Sequence, residues 1–200
     1  MAVLVGKPAP DFTAAAVLGD NSIKEDFTLS EHIKGKSAVI FFYPLDFTFV
    51  CPSELIAFDH RLAEFKARGV EVIGISIDSH FTHLAWKNTP VDKGGIGQVG
   101  YPLVADIKHD ICKAYDVEAD GGVAYRGSFL INKDGVVVHQ VVNDLPLGRD
   151  IDEMLRMVDA LQFFEAHGEV CPAGWKKGKA GMNASPEGVA KYLAENASSL

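Results

Sequence analysis

The sequence predicts an α/β fold, a mixed central sheet flanked by helices and followed by a C-terminal arm. Three observations predict it. Ala38-Val39-Ile40-Phe41-Phe42-Tyr43 is an unbroken apolar run of strand length, and Leu55, Phe58, Leu62 and Phe65 follow it at helical spacing. A second apolar run, Val70 to Ile77, comes directly after, which makes a βαβ start. Further on, Lys133-Asp134-Gly135 separates two more strand patterns and marks an antiparallel hairpin. With 200 residues, 48% of them hydrophobic, there is enough apolar surface for a substantial core.

The first helix spans 51–68 and ends at Lys66-Ala67-Arg68-Gly69, a cationic last turn with a glycine stop. Ser79 caps a helix running through Lys87. Residues 89–100 hold Gly94-Gly95-Ile96-Gly97 and read as a loop. Pro102-Leu103-Val104 is a short strand and 108–115 a short helix, before the hairpin strands Val123–Asn132 and Val136–Val142. Ile151, Met154, Leu155, Val158 and Leu161 give the last regular helix one apolar face. After Phe164 the pattern changes to glycine and proline, so the chain divides into a core domain over 1–165 and an arm over 166–200. Val170 and Trp175 within the arm predict that it lies on a surface.

Charge excludes several classes of function. Nineteen basic residues against 27 acidic ones give a net charge of −8, with no Lys/Arg-rich run to neutralise phosphates. Nucleic acid and membrane are therefore not expected partners. The start lacks a signal-peptide pattern, and no apolar stretch approaches the about 20 residues that span a bilayer. The expectation is a soluble, cytoplasmic protein. Three cysteines are too few and too scattered for a secreted disulfide framework. No metal is expected: Cys51 and Cys171 stand apart from any ligand at zinc spacing, and His80-x-x-His83 reads as packing or interface histidines.

Cys51 carries the chemistry. It closes the run Pro44-Leu45-Asp46-Phe47-Thr48-Phe49-Val50-Cys51, at a strand-to-helix corner and in the first turn of a helix. Unpaired N–H groups and the positive end of the helix dipole stabilise a thiolate at such a position. The tripeptide Val50-Cys51-Pro52 recurs as Val170-Cys171-Pro172.

Phe42 to Pro52 resembles the active-site signature of the peroxiredoxins, and His167-Gly168-Glu169-Val170-Cys171-Pro172-Ala173-Gly174-Trp175 resembles the resolving-cysteine segment of their typical two-cysteine class. Asp78 to Trp86, Tyr125-Arg126-Gly127 and Val142 to Arg149 are similar to further blocks of that class. Together they run in unbroken order from about Gly6 to Tyr192. The resemblance implies a thioredoxin-like fold, reduction of peroxides without a cofactor, and a homodimer that assembles into a decamer.

The residues fit that chemistry. Cys51 is the nucleophile. Thr48 offers a hydroxyl to both sulfur and peroxide, against the plainer reading of a turn threonine. Pro44 walls the pocket without an N–H to compete for the thiolate. Arg126, between Ala124 and Gly127, is the expected cation, against a surface or ion-pair arginine. Glu54 by itself reads as a capping-box acid; the resemblance implies instead that it bridges Arg126 and Arg149. A sulfenic acid on Cys51 condenses with a second thiol, and the resemblance implies Cys171 of the other subunit; the residues alone leave the subunit open. Cys112 is expected to be a packing residue. The reductant is thioredoxin or a dedicated flavoprotein disulfide reductase, with thioredoxin preferred because Gly94 to Gly97 resembles the loop of the thioredoxin-served subgroup. Tyr192-Leu193 stands where over-oxidation-sensitive members have Tyr-Phe. A ring-forming holdase chaperone is the alternative from another class; a thioredoxin-type disulfide reductase is weakened because Cys51-Pro52-Ser53-Glu54 lacks a second cysteine.

Overall fold

The computed structural model describes residues 2–199. They form two compact units, divided between Ile151 and Asp152.

The first unit is built on a seven-stranded mixed sheet. Its strands are β1 (Thr13–Val17), β2 (Ile23–Thr28), β3 (Ser37–Phe42), β4 (Val70–Ser76), β5 (Leu103–Ala105), β6 (Arg126–Ile131) and β7 (Val137–Asn143), in the order β2-β1-β5-β4-β3-β6-β7. The predicted βαβ start places β3 parallel to β4, with Ala38 opposite Glu71 and Phe42 opposite Ile75. The predicted hairpin places β6 antiparallel to β7, and β6 also pairs antiparallel with β3. Every residue of β3 is buried, which is why its sequence is continuously apolar: a strand covered on both faces has no polar side to show. Phe42, Tyr115 and Phe129 interlock with ring centroids 5.1–5.8 Å apart, and Phe41 stacks on Phe58 at 4.0 Å.

Between the strands lie α1 (Leu29–His32), α2 (Cys51–His60), α3 (Leu62–Ala67), α4 (His80–Lys87) and α5 (Asp110–Ala114). Ser79 caps α4 as expected, its hydroxyl accepting from the Thr82 N–H at 3.1 Å. The helix predicted over 51–68 is instead two. The ladder breaks at Arg61 (φ −100°, ψ 0°), whose N–H turns to the Phe58 carbonyl. One turn earlier the Tyr101 hydroxyl donates to the Leu55 carbonyl at 2.7 Å, and Asp59 accepts from the Gly100 N–H at 2.8 Å. Outside groups engaging a helix ladder bend it; sequence periodicity does not register such a distant partner.

β1, β2 and α1 lie outside the predicted set, and one predicted strand is shorter. The β1–β2 hairpin turns through Leu18-Gly19-Asp20-Asn21-Ser22, a turn signal that the alanine-rich β1 makes easy to pass over. The start of β6 moves from Val123 to Arg126, because Glu118 to Ala124 close their own small bridge.

The second unit holds α6 (Ile151–His167, whose first residue belongs to the first unit) and α7 (Pro186–Asn196). α6 was not the last regular helix. The Ser185 hydroxyl caps α7 by accepting from the Gly188 N–H at 3.0 Å, with Pro186 opening it. Those start signals stand in the sequence, inside a stretch whose glycines and prolines suggest irregular chain. Between the helices, Val170 and Met182 form a bridge, and Trp175 is buried with its ring 4.8 Å from Phe163. That part of the arm packs against α6. Among the described residues no helix is long and apolar enough to cross a membrane.

Lys87, at the end of α4, is buried with its ammonium donating to the Leu18 carbonyl at 2.7 Å. Burial pushes its pKa down to about 8 from 10.5, partly offset by Asp20 and Asp59. A folded-state value below the unfolded one means that between pH 8 and 10.5 the unfolded chain binds the extra proton, so this group makes stability rise with pH there. Thermal unfolding of wild type and Lys87→Met across that window should show wild type gaining on the variant as pH rises. A constant difference would refute the assignment.

Candidate active site

The carboxyl ends of β3 and β4 deliver their loops to one edge of the sheet. After β3 the chain turns at buried Pro44, and residues 44–50 lead into α2. Phe47 adopts φ +55°, an unfavourable region for a bulky side chain and one that collects at functional sites. Cys51 is the first residue of α2 and 1% exposed. The Thr48 hydroxyl lies 3.0 Å from its Sγ and 2.7 Å from the Leu45 carbonyl. One hydroxyl proton serves two acceptors, so Thr48 donates to sulfur when sulfur is anionic and otherwise to the carbonyl.

Arg126 opens β6 and reaches across to the same sulfur, its Nη1 3.5 Å from Cys51 Sγ. Its Nε donates to the Leu145 carbonyl at 2.7 Å and its Nη1 to Glu54 Oε2 at 2.7 Å. The guanidinium is therefore fixed on three sides. Its neighbour must be small: a Cβ at Gly127 would sit 2.9 Å from Val117 Cγ1 and 3.1 Å from the Phe129 ring. Burial pulls the Arg126 pKa down, but the hydrogen bond to Cys51 and the charge of Glu54 outweigh it and hold the group charged.

Glu54 is 3% exposed, one turn along α2 from Cys51. Arg149 meets it with Nε on Oε1 and Nη2 on Oε2, both at 2.9 Å, and with its backbone N–H at 2.9 Å. Burial alone would raise the Glu54 pKa; the bidentate Arg149 and then Arg126 override it and keep the carboxylate ionised. Arg149 also donates to the Gly127 carbonyl and Ser128 hydroxyl, and lies 5.1 Å over the Phe41 ring. Glu54 thus joins both arginines, as the resemblance implied, and does not serve as a capping-box acid.

Cys112 is fully buried, and burial followed by Asp106 pushes its thiol far above the ordinary range, so it is inert as a nucleophile. Cys171 belongs to the second unit, part-buried with Sγ 3.5 Å from the Ala160 carbonyl; burial raises its pKa and Arg156 pulls against that. All three thiols are unpaired.

The histidine pair divides. His83 is fully buried, with Nδ1 2.8 Å from Asp46 Oδ2 and Nε2 3.2 Å from the Val104 carbonyl. The His80 ring lies 4.0 Å from that of Phe81, tilted by 42°, and stands 3.8 Å from Glu25. Asp46, which the sequence reading did not single out, accepts from the Tyr43 hydroxyl at 2.8 Å as well as facing His83, a histidine read there as packing or interface. A carboxylate inside an otherwise apolar loop was the available signal.

The AhpC/TSA family model matches residues 5–140, and that of the C-terminal domain of 1-Cys peroxiredoxin matches 160–195. The chain is 60% identical over 198 residues to alkyl hydroperoxide reductase C of Helicobacter pylori, covering 99% of this chain and 100% of that one. It is 57% identical over 175 residues to peroxiredoxin-1 of Gallus gallus, 87% of each. Among solved structures, reduced 2-Cys peroxiredoxin of Plasmodium vivax superposes with a TM-score of 0.93 at 52% identity, covering 96% of this chain and 100% of that one. The mixed sheet with its flanking helices is accordingly the thioredoxin-like fold of those proteins. With the family model spanning most of the chain and the relatives matching nearly end to end, this protein belongs to the AhpC/TSA family, in its two-cysteine peroxiredoxin class.

Proposed function

We propose that this thiol-dependent peroxidase works through Cys51 and Cys171. The Cys51 thiolate attacks the terminal oxygen of a hydroperoxide, hydrogen peroxide or an organic one. The S–O bond forms as the O–O bond breaks, and the departing oxygen leaves as water or alcohol after taking a proton. Cys51 is then a sulfenic acid, which the Cys171 thiol converts to a disulfide with loss of water. The observation that carries this reading is the convergence of Thr48 Oγ1 and Arg126 Nη1 on Cys51 Sγ, at 3.0 and 3.5 Å, in a buried pocket. Thr48 orients the attacked oxygen, Arg126 stabilises negative charge on sulfur and on the breaking O–O bond, and Pro44 walls the pocket. Glu54 and Arg149 hold Arg126 in place.

The arm over 166–200 presents Cys171 to Cys51 of the other subunit, so the disulfide joins two chains of a homodimer. Phe47, Phe49 and Phe81 are 51%, 96% and 68% exposed on and beside the Cys51 loop, which supports further assembly of dimers into a decamer that the reduced, folded loop favours. Thioredoxin is the proposed reductant, with a flavoprotein disulfide reductase as the competitor in a coupled assay. The cytoplasm is the proposed compartment, in keeping with three unpaired thiols. The holdase reading finds no support in the site or the relatives.

One equivalent of peroxide on the reduced protein should produce a reducible dimer on non-reducing gels, with a Cys51–Cys171 peptide by mass spectrometry. Cys171→Ser should still consume the first equivalent but form no such dimer. A disulfide confined to one chain would overturn the intersubunit exchange.

A further inference from the structure

A second polar cluster lies behind the Cys51 loop, and the mechanism above does not use it. Asp46 is in the middle of the loop, 6% exposed, the one charged residue among Pro44, Leu45, Phe47, Thr48, Phe49 and Val50. Its Oδ2 is 2.8 Å from His83 Nδ1 on α4. Its Oδ1 accepts from the Tyr43 hydroxyl of the segment leaving β3, also at 2.8 Å. Its backbone N–H donates to Asp78 Oδ2 at 2.9 Å, and the same Asp78 oxygen accepts from the Ser76 hydroxyl at 2.7 Å. The next residue, Phe47, lies with its ring 5.7 Å from Trp86, one turn along α4 from His83.

The bonding pattern counts the protons. The Val104 carbonyl only accepts, so His83 Nε2 carries a hydrogen. The Tyr43 hydroxyl is a donor to Asp46, and burial followed by the Asp46 charge pushes its pKa far up, so it stays a phenol. The short Nδ1–Oδ2 contact then needs a proton of its own. Without it, an imidazole lone pair faces a carboxylate in a site where neither atom reaches water, and the contact becomes repulsive. The other charged group facing the pair is Asp78, beyond β4; it adds negative charge and so favours retaining that proton.

We propose that the buried hydrogen bond between His83 and Asp46 clamps residues 44–50 in the geometry that aims Thr48 at Cys51, making His83 and Asp46 positioning residues for peroxide attack. The proposal rests on Cys51 as the attacking sulfur. Without the Asp46 side chain the loop is no longer tied to α4, and the hydroxyl two residues further on leaves Sγ.

Asparagine at position 46 provides a direct test. Its carboxamide oxygen accepts from Tyr43 and its NH2 donates to His83 Nδ1, so Asp46→Asn keeps every bond while needing no shared proton. Alanine keeps none. The second-order rate constant of Cys51 with hydrogen peroxide, followed by stopped flow from pH 6 to 10, is expected to fall by about tenfold to a hundredfold in Asp46→Ala, the scale of a misplaced reacting group. Asp46→Asn should stay within about threefold of wild type across that range. Hydrogen exchange of the 45–50 amides, read at a single pH without peroxide, should be faster in Asp46→Ala and as in wild type in Asp46→Asn. This second readout does not depend on Cys51 being the nucleophile. Asp46→Asn as slow as Asp46→Ala, or Asp46→Ala with wild-type exchange, would overturn the proposal; should Asp46→Ala fail to fold, the rate and exchange of Asp46→Asn decide.

Discussion

Cys51→Ser abolishes peroxide turnover, while Cys112→Ser leaves it within about twofold of wild type. This is the largest expected effect, because a serine hydroxyl in the same place has no accessible anion at neutral pH to attack the O–O bond. The two cysteines differ in surroundings more than in burial. Both are closed off from solvent, but Cys51 has a hydroxyl at 3.0 Å, a guanidinium at 3.5 Å and the first turn of α2 beneath it. Cys112 faces the Asp106 carboxylate, which disfavours a second negative charge. Peroxide consumption by the purified variants with thioredoxin and its reductase is the measurement. Full turnover by Cys51→Ser would remove the mechanism.

Glu54→Ala destabilises the protein by about 3–5 kcal/mol, the range for breaking a buried ion pair by removing one partner. The carboxylate joins two guanidiniums whose side chains are 4% and 3% exposed, and its loss leaves both charges buried without their counter-ion. Denaturant unfolding checks the stability. The same variant should react slowly with peroxide, since Arg126 loses the contact that turns Nη1 toward Cys51. Arg126→Ala separates the two effects. It leaves Arg149 on Glu54 and so costs less stability, yet it should lower the rate of attack by about a hundredfold, as removal of a preorganised charge-stabilising donor does. A Glu54→Ala protein as stable as wild type would show that the bridge is incidental. The pH dependence has a definite sign. Because the folded-state pKa of Glu54 is held below its usual 4.5, the stability it contributes is present above 4.5 and lost as pH falls through the folded value.

From β3 onward most strands and helices that meet the core were legible, because burial imposes a period on the sequence; β1 and β2 meet it too, through Ala16, Val17 and Phe27, and were missed. β3 is the clearest case: an unbroken apolar run became a strand inside the sheet, between β4 and β6, and Ser79 announced α4 by its cap. Cys51, Thr48 and Pro44 were legible because they occupy one short loop, where chain geometry alone brings them near each other. Three things were decided only by tertiary structure. The break at Arg61 depends on Tyr101 and Gly100, which reach the helix from another part of the chain. The Glu54–Arg126–Arg149 junction depends on β6 and the loop after β7 arriving beside α2, an arrangement that residue spacing does not encode and that only the family resemblance suggested. The Asp46–His83 contact joins a loop to a helix across the ends of β3, β4 and β5. Local spacing determines which residues share a turn or a face. Which distant charges meet in a dry interior, and how many protons they hold between them, is set only when the sheet closes and water is gone.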